Sequence, residues 1–335
     1  MQGGGGRRLS RISNLEPGVW TKSRAFTMAE ILLSLTIIGV VAAITLPSLT
    51  GNINERTWNT QRKALYARFS QAIALMPALN GYGTLTEDES GSVTADTAAE
   101  TFVTDGLAKV LKINNICDSE HLTDCGIPEK ITLLNSNTTT SIPKTLASFN
   151  PLFNGTVSYG DSGVASYSQT DTNAAAFETA NGESIVIYYN PNCSSMRRDN
   201  KLQPTMCANF IYDLNGSKGP NTVGKDIGFM TAFYPSDPII VAPIPIKTIN
   251  VTDDYLGRFD TACREKVDFE SRATNIDELS SIFVNKALLP TIAVDGYRSN
   301  TRNGQYYMVL HMYAGTVADN HNLANYANLI CVKRN

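Results

Sequence analysis

Residues 24–43 read RAFTMAEILLSLTIIGVVAA, and this stretch decides the expected fold. Glu30 is the only charged residue between positions 26 and 41, and apolar side chains continue to Leu46. A run of this length is enough for a helix to cross a bilayer, which takes about 20 residues. A carboxylate in such surroundings is costly unless it is neutralised or paired. Glu30 therefore needs an explanation that a plain apolar anchor does not give.

Basic residues precede the apolar run. Residues 1–25 hold five basic side chains and one acidic side chain, although the 335-residue chain has a formal net charge of −3. The positive-inside rule favours a cytoplasmic start and export of everything that follows the run. No basic patch lies beyond residue 26, so the charge pattern indicates no nucleic acid partner.

Residues 24–43 resemble the class III signal of type IV pilins and type II secretion pseudopilins. The resemblance rests on Phe26, Glu30, the apolar run and Pro47 taken together. It implies that a prepilin peptidase cuts between Ala25 and Phe26 and that the new amino group of Phe26 is methylated. It also implies a helix kink at Pro47.

The resemblance gives Glu30 a role in assembly. In a helical filament, the carboxylate of Glu30 on one subunit can pair with the Phe26 amine of the next. Each charge is expensive alone in an apolar bundle, and the two compensate only in the correct axial register. The alternative is that Glu30 lies close enough to the cytoplasmic end for its side chain to reach the interface.

The fold class that the resemblance implies is α+β. A long amino-terminal helix, with a membrane-embedded first half, would pack on a small antiparallel sheet with extra loops and helices, as in pilins. We expect four parts: a leader peptide over 1–25, a transmembrane and filament-core helix over 26–49, an amphipathic continuation over 50–80 and an extracytoplasmic globular domain over 81–335.

Residues 53–76 support this helix from their own pattern. Apolar side chains recur at intervals of three and four, which predicts an amphipathic helix with one buried face; they are Trp58, Leu65, Phe69, Ala72, Ile73 and Met76. Pro77 and Gly81 mark its end.

The later chain alternates between strand and helix signals. Segments rich in β-branched and aromatic residues predict strands over 183–190, 207–214, 226–234 and 305–313, with a hairpin between the second and third. The prolines in 237–249 favour an edge or an extended connection. Helices are predicted over 98–111, 252–266 and 276–289, the last with Asn275 as its cap.

The loop between two of these strands reads DLNGSKGPNTVGKD over residues 213–226, which resembles a segment found in many pseudopilin-like chains. Asp213, Asn215 and Asp226 could offer oxygens to Ca²⁺, which some pseudopilins bind near this sheet. The same residues also suit a plain turn, because Asp and Asn cap turns and Gly permits tight backbone geometry. With so few certain carboxylates, the turn interpretation is favoured about two to one.

The six cysteines all lie beyond the apolar run, which fits an oxidising compartment. Their spacing lacks the short pairs of a zinc site. We predict the disulfides Cys117–Cys125, Cys193–Cys207 and Cys263–Cys331, among fifteen possible connectivities.

Two catalytic motifs are rejected. Residues 219–225 fit the start of a phosphate-binding loop, but Asp226 stands where Ser or Thr should bind Mg²⁺ and a strand is predicted to follow. Residues 160–163, GDSG, resemble a serine protease segment without a suitable upstream histidine. We therefore predict that the chain is not an enzyme.

The sequence as a whole predicts a pilin-like or pseudopilin subunit of a type II secretion or type IV pilus system. Its implied partners are prepilin peptidase, other pilin or pseudopilin subunits and the inner-membrane platform of the assembly machine. The expected location is the bacterial inner membrane, with a single pass and a cytoplasmic amino terminus, and then a periplasmic or cell-surface filament. The alternative is a membrane-anchored extracytoplasmic binding protein or adhesin.

Overall fold

The computed structural model describes part of the chain in detail. The described residues are 27–80, 96–149, 157–158, 164–165, 172–190, 196–198, 201–203, 205–234, 239–241, 246–250, 258–267, 271–289, 296–303, 306–311, 316–320 and 328–333. The chain divides into two compact units, Met1–Asn54 and Glu55–Asn335.

One long helix begins the described chain, and short helices and many strands follow. The α-helices are α1 (Met28–Asn80), α2 (Ala98–Thr101), α3 (Leu146–Phe149), α4 (Phe259–Lys266) and α5 (Ile276–Val284). The first strands are β1 (Ile113–Cys117), β2 (Ile131–Thr132), β3 (Thr139–Thr140), β4 (Val157–Ser158), β5 (Val164–Ala165), β6 (Ala175–Thr179), β7 (Ser184–Tyr189), β8 (Met196–Arg198) and β9 (Lys201–Gln203). The later strands are β10 (Thr205–Asp213), β11 (Ile227–Tyr234), β12 (Ile239–Val241), β13 (Ile246–Asn250), β14 (Ser271–Ala273), β15 (Gly296–Asn303), β16 (Tyr306–His311), β17 (Thr316–Asn320) and β18 (Asn328–Lys333).

The membrane prediction for α1 is wrong. Within the described residues, no helix has a stretch that is both long enough and apolar enough to cross a membrane. This finding contradicts both the membrane-embedded first half of the helix and the single-pass inner-membrane location.

The part of α1 that belongs to the second unit packs as its periodicity predicts. Leu65, Phe69, Ile73 and Met76 are fully buried because intervals of three and four residues place them on one helix face. The Phe69 ring lies 5.2 Å from that of Phe210 in β10, in an edge-to-face arrangement. The amphipathic prediction for this segment is confirmed.

The sheet beneath this face has six strands in the order β1-β6-β7-β10-β11-β12. The predicted hairpin is confirmed, since β10 pairs antiparallel with β11, and on its other side β10 pairs with β7. The β7 side chains are buried along their whole length, as their unbroken apolar run requires for a central strand. The proline-flanked β12 lies at the edge of the sheet, also as predicted.

A second sheet makes the prediction of one small antiparallel sheet wrong. It has the order β13-β18-β15-β16-β17, with β14 also paired to β18. The pairing of β15 with β18 is parallel. Its strand β16 was predicted over 305–313 and is confirmed. Strand β13 was predicted only as part of a proline-rich connection, because its partner β18 lies far away in sequence.

Helix α5 is tied to the first sheet by a buried polar network. Asn285, at the end of the helix, exchanges hydrogen bonds with Asn209 of β10, and Ser281 bonds Thr231 of β11 at 2.6 Å. All four side chains are fully buried, and each is hydrogen-bonded, which avoids the cost of a buried unpaired polar group. At its start, α5 has the predicted cap, because Asn275 and Glu278 form a reciprocal capping box.

The helix predictions are right in place, but the segments 98–111 and 276–289 are less regular than predicted. Over 98–111 the chain forms α2, then a π-helical turn and a short 3₁₀ helix. Helix α4 covers the last part of 252–266, and the residues just before it lie outside the described part. Helix α5 ends at Val284 and a 3₁₀ turn follows.

Two of the three predicted disulfides are present. Cys117 and Cys125 join the end of β1 to a 3₁₀ turn, and Cys263 of α4 is bonded to Cys331 of β18. Cys207 is buried in β10 and is disulfide-bonded, whereas Cys193 lies outside the described residues. The third pairing stays a prediction.

Candidate functional site

Glu30 caps its own helix. Its carboxylate accepts hydrogen bonds from the Thr27 backbone N–H at 2.8 Å and the Thr27 hydroxyl at 2.9 Å. In return, the Glu30 N–H donates to the Thr27 hydroxyl oxygen at 3.2 Å. This is a capping box, and the spacing T-x-x-E before an apolar run is its sequence signature. The hydrogen bonds from Thr27 lower the pKa of Glu30.

Phe26, whose amine is predicted to pair with Glu30, lies outside the described residues. Ala25, at the predicted cleavage point, and the rest of the leader over 1–25 also lie outside them. Helix α1 continues through Pro47, where the kink stays a prediction because the side chains around it are not described.

The first turns of α1 present apolar side chains to solvent on every side. Met28 is 82 % exposed, and each of the other large apolar residues up to Val41 is about half exposed or more; they are Ile31, Leu32, Leu33, Leu35, Ile37, Ile38, Val40 and Val41. The polar hydroxyls in this stretch turn inward to the helix backbone, because Ser34 bonds the Glu30 carbonyl and Thr36 the Leu32 carbonyl. A continuous apolar surface of this kind marks an interaction site.

The loop from Asp213 to Asp226 is the second candidate site. It connects β10 to β11, and its two acidic ends are buried, with exposed fractions of 2 % and 0 %. The Asp226 carboxylate accepts the backbone N–H groups of Asn221 and Thr222, each at 2.8 Å. Asp213 accepts the N–H of Asn215 at 3.1 Å, and the Asn215 amide donates to the Gly219 carbonyl. These hydrogen bonds are those of a closely capped turn.

Three oxygens in this loop are buried without a hydrogen-bond partner. They are Asp213 Oδ2, Asn215 Oδ1 and Asn221 Oδ1. Asn221 adopts a left-handed backbone conformation with φ of 49°, a geometry that Asn tolerates better than most residues. Its role was missed from the sequence, because nothing in the local pattern distinguishes it from any other turn residue. Buried unpaired acceptors are costly, and a cation is one group that would satisfy them.

The electrostatics of the loop also favour a cation. Burial raises the pKa of Asp213 to about 7, and the negative charge of Asp226 acts in the same direction. A hard cation such as Ca²⁺ takes carboxylate, amide and carbonyl oxygens, which are the groups present here. Among the described residues, no group of three or more His, Cys, Asp or Glu side chains is placed to hold a metal. A site in this loop would rest on two carboxylates and two side-chain amides.

Of the two rejected catalytic motifs, the structure describes only residues 219–225 in full. Residues 219–225 are followed by the strand β11 instead of a helix, so they form no phosphate-binding loop. His121 is an exposed partner of Asp118, and His311 ends β16. The segment 160–163 and His321 lie outside the described residues.

Comparison of the chain with family models, with curated proteins and with solved structures finds no match.

Proposed function

We propose that this chain is a pilin-like or pseudopilin subunit that assembles into a helical filament of a type II secretion or type IV pilus system. The observation that carries the proposal is the helix from Met28 to Val41, which exposes apolar side chains on all sides. Copies of the same helix, bundled along a filament axis, would remove that surface from water at roughly 25 cal/mol for each Å² buried. The proposed partners are prepilin peptidase, further subunits and the platform of the assembly machine.

Processing gives the most direct test of the class. We expect the mature chain, isolated from cells that contain a prepilin peptidase, to begin at Phe26 with a methylated amine. Intact-mass spectrometry and sequencing of the amino-terminal peptide measure this. The matched control is the same chain from cells that lack the peptidase, which should keep residues 1–25. A cut elsewhere, or an uncut chain in both cells, contradicts the proposal.

We further propose that the loop at 213–226 holds a Ca²⁺ ion through Asp213, Asn215, Asn221 and Asp226. The bound ion would supply positive charge between two buried carboxylates and satisfy the unpaired amide oxygens. The support is the set of three buried oxygens without a partner. Because the ion would stabilise the loop that joins two central strands, its role in this proposal is structural.

Asp213→Asn separates cation binding from folding. The substitution keeps the oxygen that accepts the Asn215 N–H and removes a charge that burial disfavours. Because the pKa of Asp213 is raised from 3.8 to about 7 on folding, stability falls as the pH rises between these two values and stays lowered above them. At mildly alkaline pH without Ca²⁺, we therefore expect the variant to be as stable as the original chain or more stable.

With Ca²⁺ bound, we expect the original chain to be more stable than the Asp213→Asn variant. We expect calorimetric titration to show Ca²⁺ binding to the original chain and at least roughly tenfold weaker binding to the Asp213→Asn variant, because a carboxylate ligand is lost. Asp124→Asn, which removes an exposed carboxylate on a 3₁₀ turn, is the control and should leave the affinity unchanged. A flat titration with the original chain overturns the cation site and leaves the filament proposal intact.

A further inference from the structure

Arg62 of α1 is hydrogen-bonded to the backbone of the 213–226 loop. Its Nη2 donates to the Gly224 carbonyl at 2.7 Å and also to the Lys225 carbonyl. Its Nη1 donates to Asn59 Oδ1 at 2.7 Å, one turn earlier in the same helix, which fixes the direction of the guanidinium. A guanidinium held in this way joins the helix to two neighbouring carbonyls of one short turn.

The turn that Arg62 holds is the one that Asp226 organises. Gly224 and Lys225 directly precede Asp226, whose carboxylate accepts the N–H groups of Asn221 and Thr222. The turn is closed by the Lys225 N–H, which donates to the Thr222 carbonyl at 3.0 Å. Gly224 has φ of 88°, so the carbonyl that faces Arg62 depends on a backbone conformation that favours glycine. Arg62 and the proposed ion would therefore constrain the same few peptide groups.

Most residues of α1 from 56 to 64 are exposed in the described structure. The buried stripe of α1, formed by Leu65, Phe69, Ile73 and Met76, begins only at Leu65. Before it, Trp58 is half-buried against the same core. Arg68 of α1 is bonded to Glu183, which directly precedes β7 of the first sheet. Arg68 holds a different hairpin and lies inside the stripe, so its bond does not depend on the cation loop.

We propose that Arg62 couples cation binding in the 213–226 loop to the docking of residues 56–64 of α1. This inference rests on the cation site proposed above. An ion that fixes the turn at Asn221–Asp226 would hold the two carbonyls in place for Arg62, and the docked helix would in turn hold the turn ready for the ion. Coupling of this kind is reciprocal, because the same free energy appears at both sites.

Hydrogen exchange on the full-length chain tests the coupling from the helix side. Ca²⁺, compared with a chelator, should slow amide exchange over 56–64 and leave residues 69–76 unchanged, because these are buried by the stripe. In Arg62→Gln, exchange over 56–64 should be faster and no longer respond to Ca²⁺. The variant keeps the bond partner Asn59 and a polar side chain, so the fold itself should persist.

Calcium affinity tests the same coupling from the loop side. We expect Arg62→Gln to weaken Ca²⁺ binding by about 5-fold or more, within the usual range of coupling between sites. Arg68→Gln is the matched control: it removes an arginine bond between α1 and the sheet that does not involve the 213–226 loop, so the Ca²⁺ affinity should be unchanged. If the original chain binds Ca²⁺ and Arg62→Gln binds it equally well, the coupling is overturned and the cation site stands. If the original chain binds no Ca²⁺, the cation site itself fails.

Discussion

Glu30→Gln should leave the amino-terminal helix capped and abolish filament assembly. Gln serves in a capping box as Glu does, so its side-chain oxygen can still accept the Thr27 N–H. It carries no charge, however, to neutralise the amine of Phe26 on the neighbouring subunit. An amine left unpaired in an apolar bundle costs about 3–5 kcal/mol at every subunit contact. Electron microscopy of filaments formed with the partner machinery measures the outcome.

Thr27→Ala is the complementary control, because it removes the cap and keeps the carboxylate. Losing the cap should cost the helix about 1 kcal/mol, which is small beside the loss of a buried charge pair. We therefore expect this variant to assemble. If Glu30→Gln assembles normally and Thr27→Ala does not, Glu30 serves only its own helix, and the role in axial register is wrong.

The two roles of Glu30 are compatible in one chain. Before assembly, the Thr27 hydrogen bonds satisfy the carboxylate and favour its charged form. A charged Glu30 is what an incoming amine requires, and a carboxylate has enough lone pairs to accept both donors. The capping box thus keeps the proposed assembly residue ionised and oriented while no neighbour is present.

Local sequence patterns predicted the elements whose burial is one-sided or complete. The stripe at Leu65, Phe69, Ile73 and Met76 was predictable because a period near 3.6 residues leaves few other structures that bury it. Strand β7 was predictable from its β-branched and aromatic run. The cap of α5 followed from Asn275 with Asp277 and Glu278 in the first turn, because capping depends only on residues within three positions.

Features that depend on distant residues were not predictable in this way. The pairing of β13 with β18 joins Ile246 to Val332, and no short-range pattern encodes such a register. The irregular turn after α2 replaces regular helix where Gly106 lies against the Met76 side chain, so a tertiary contact accompanies the departure from the local preference. The loop residues Asp213 and Asp226 were identified from sequence, but the unpaired oxygen of Asn221 appeared only with the folded loop.

Phe69→Ala should destabilise the second unit by about 3–5 kcal/mol, the usual cost of removing a buried aromatic ring. Phe69 is fully buried and its ring touches two strands of the first sheet, with centroids 5.2 Å from Phe210 and 6.3 Å from Phe177. The resulting cavity would lie between α1 and the sheet, where neither element can close it without moving against the other. Urea unfolding followed by fluorescence and circular dichroism measures the change.

Leu75→Ala is the matched control on the same helix. Leu75 is 52 % exposed, so its truncation should change the free energy of unfolding by no more than about 0.5 kcal/mol. The contrast matters for assembly as well, because a helix that detaches from its sheet cannot transmit a fixed position from a filament core to the domain. We therefore expect Phe69→Ala to lower the yield of filaments even though every residue before 54 is unchanged. Equal stability of the two variants would show that the stripe does not hold α1 to the sheet.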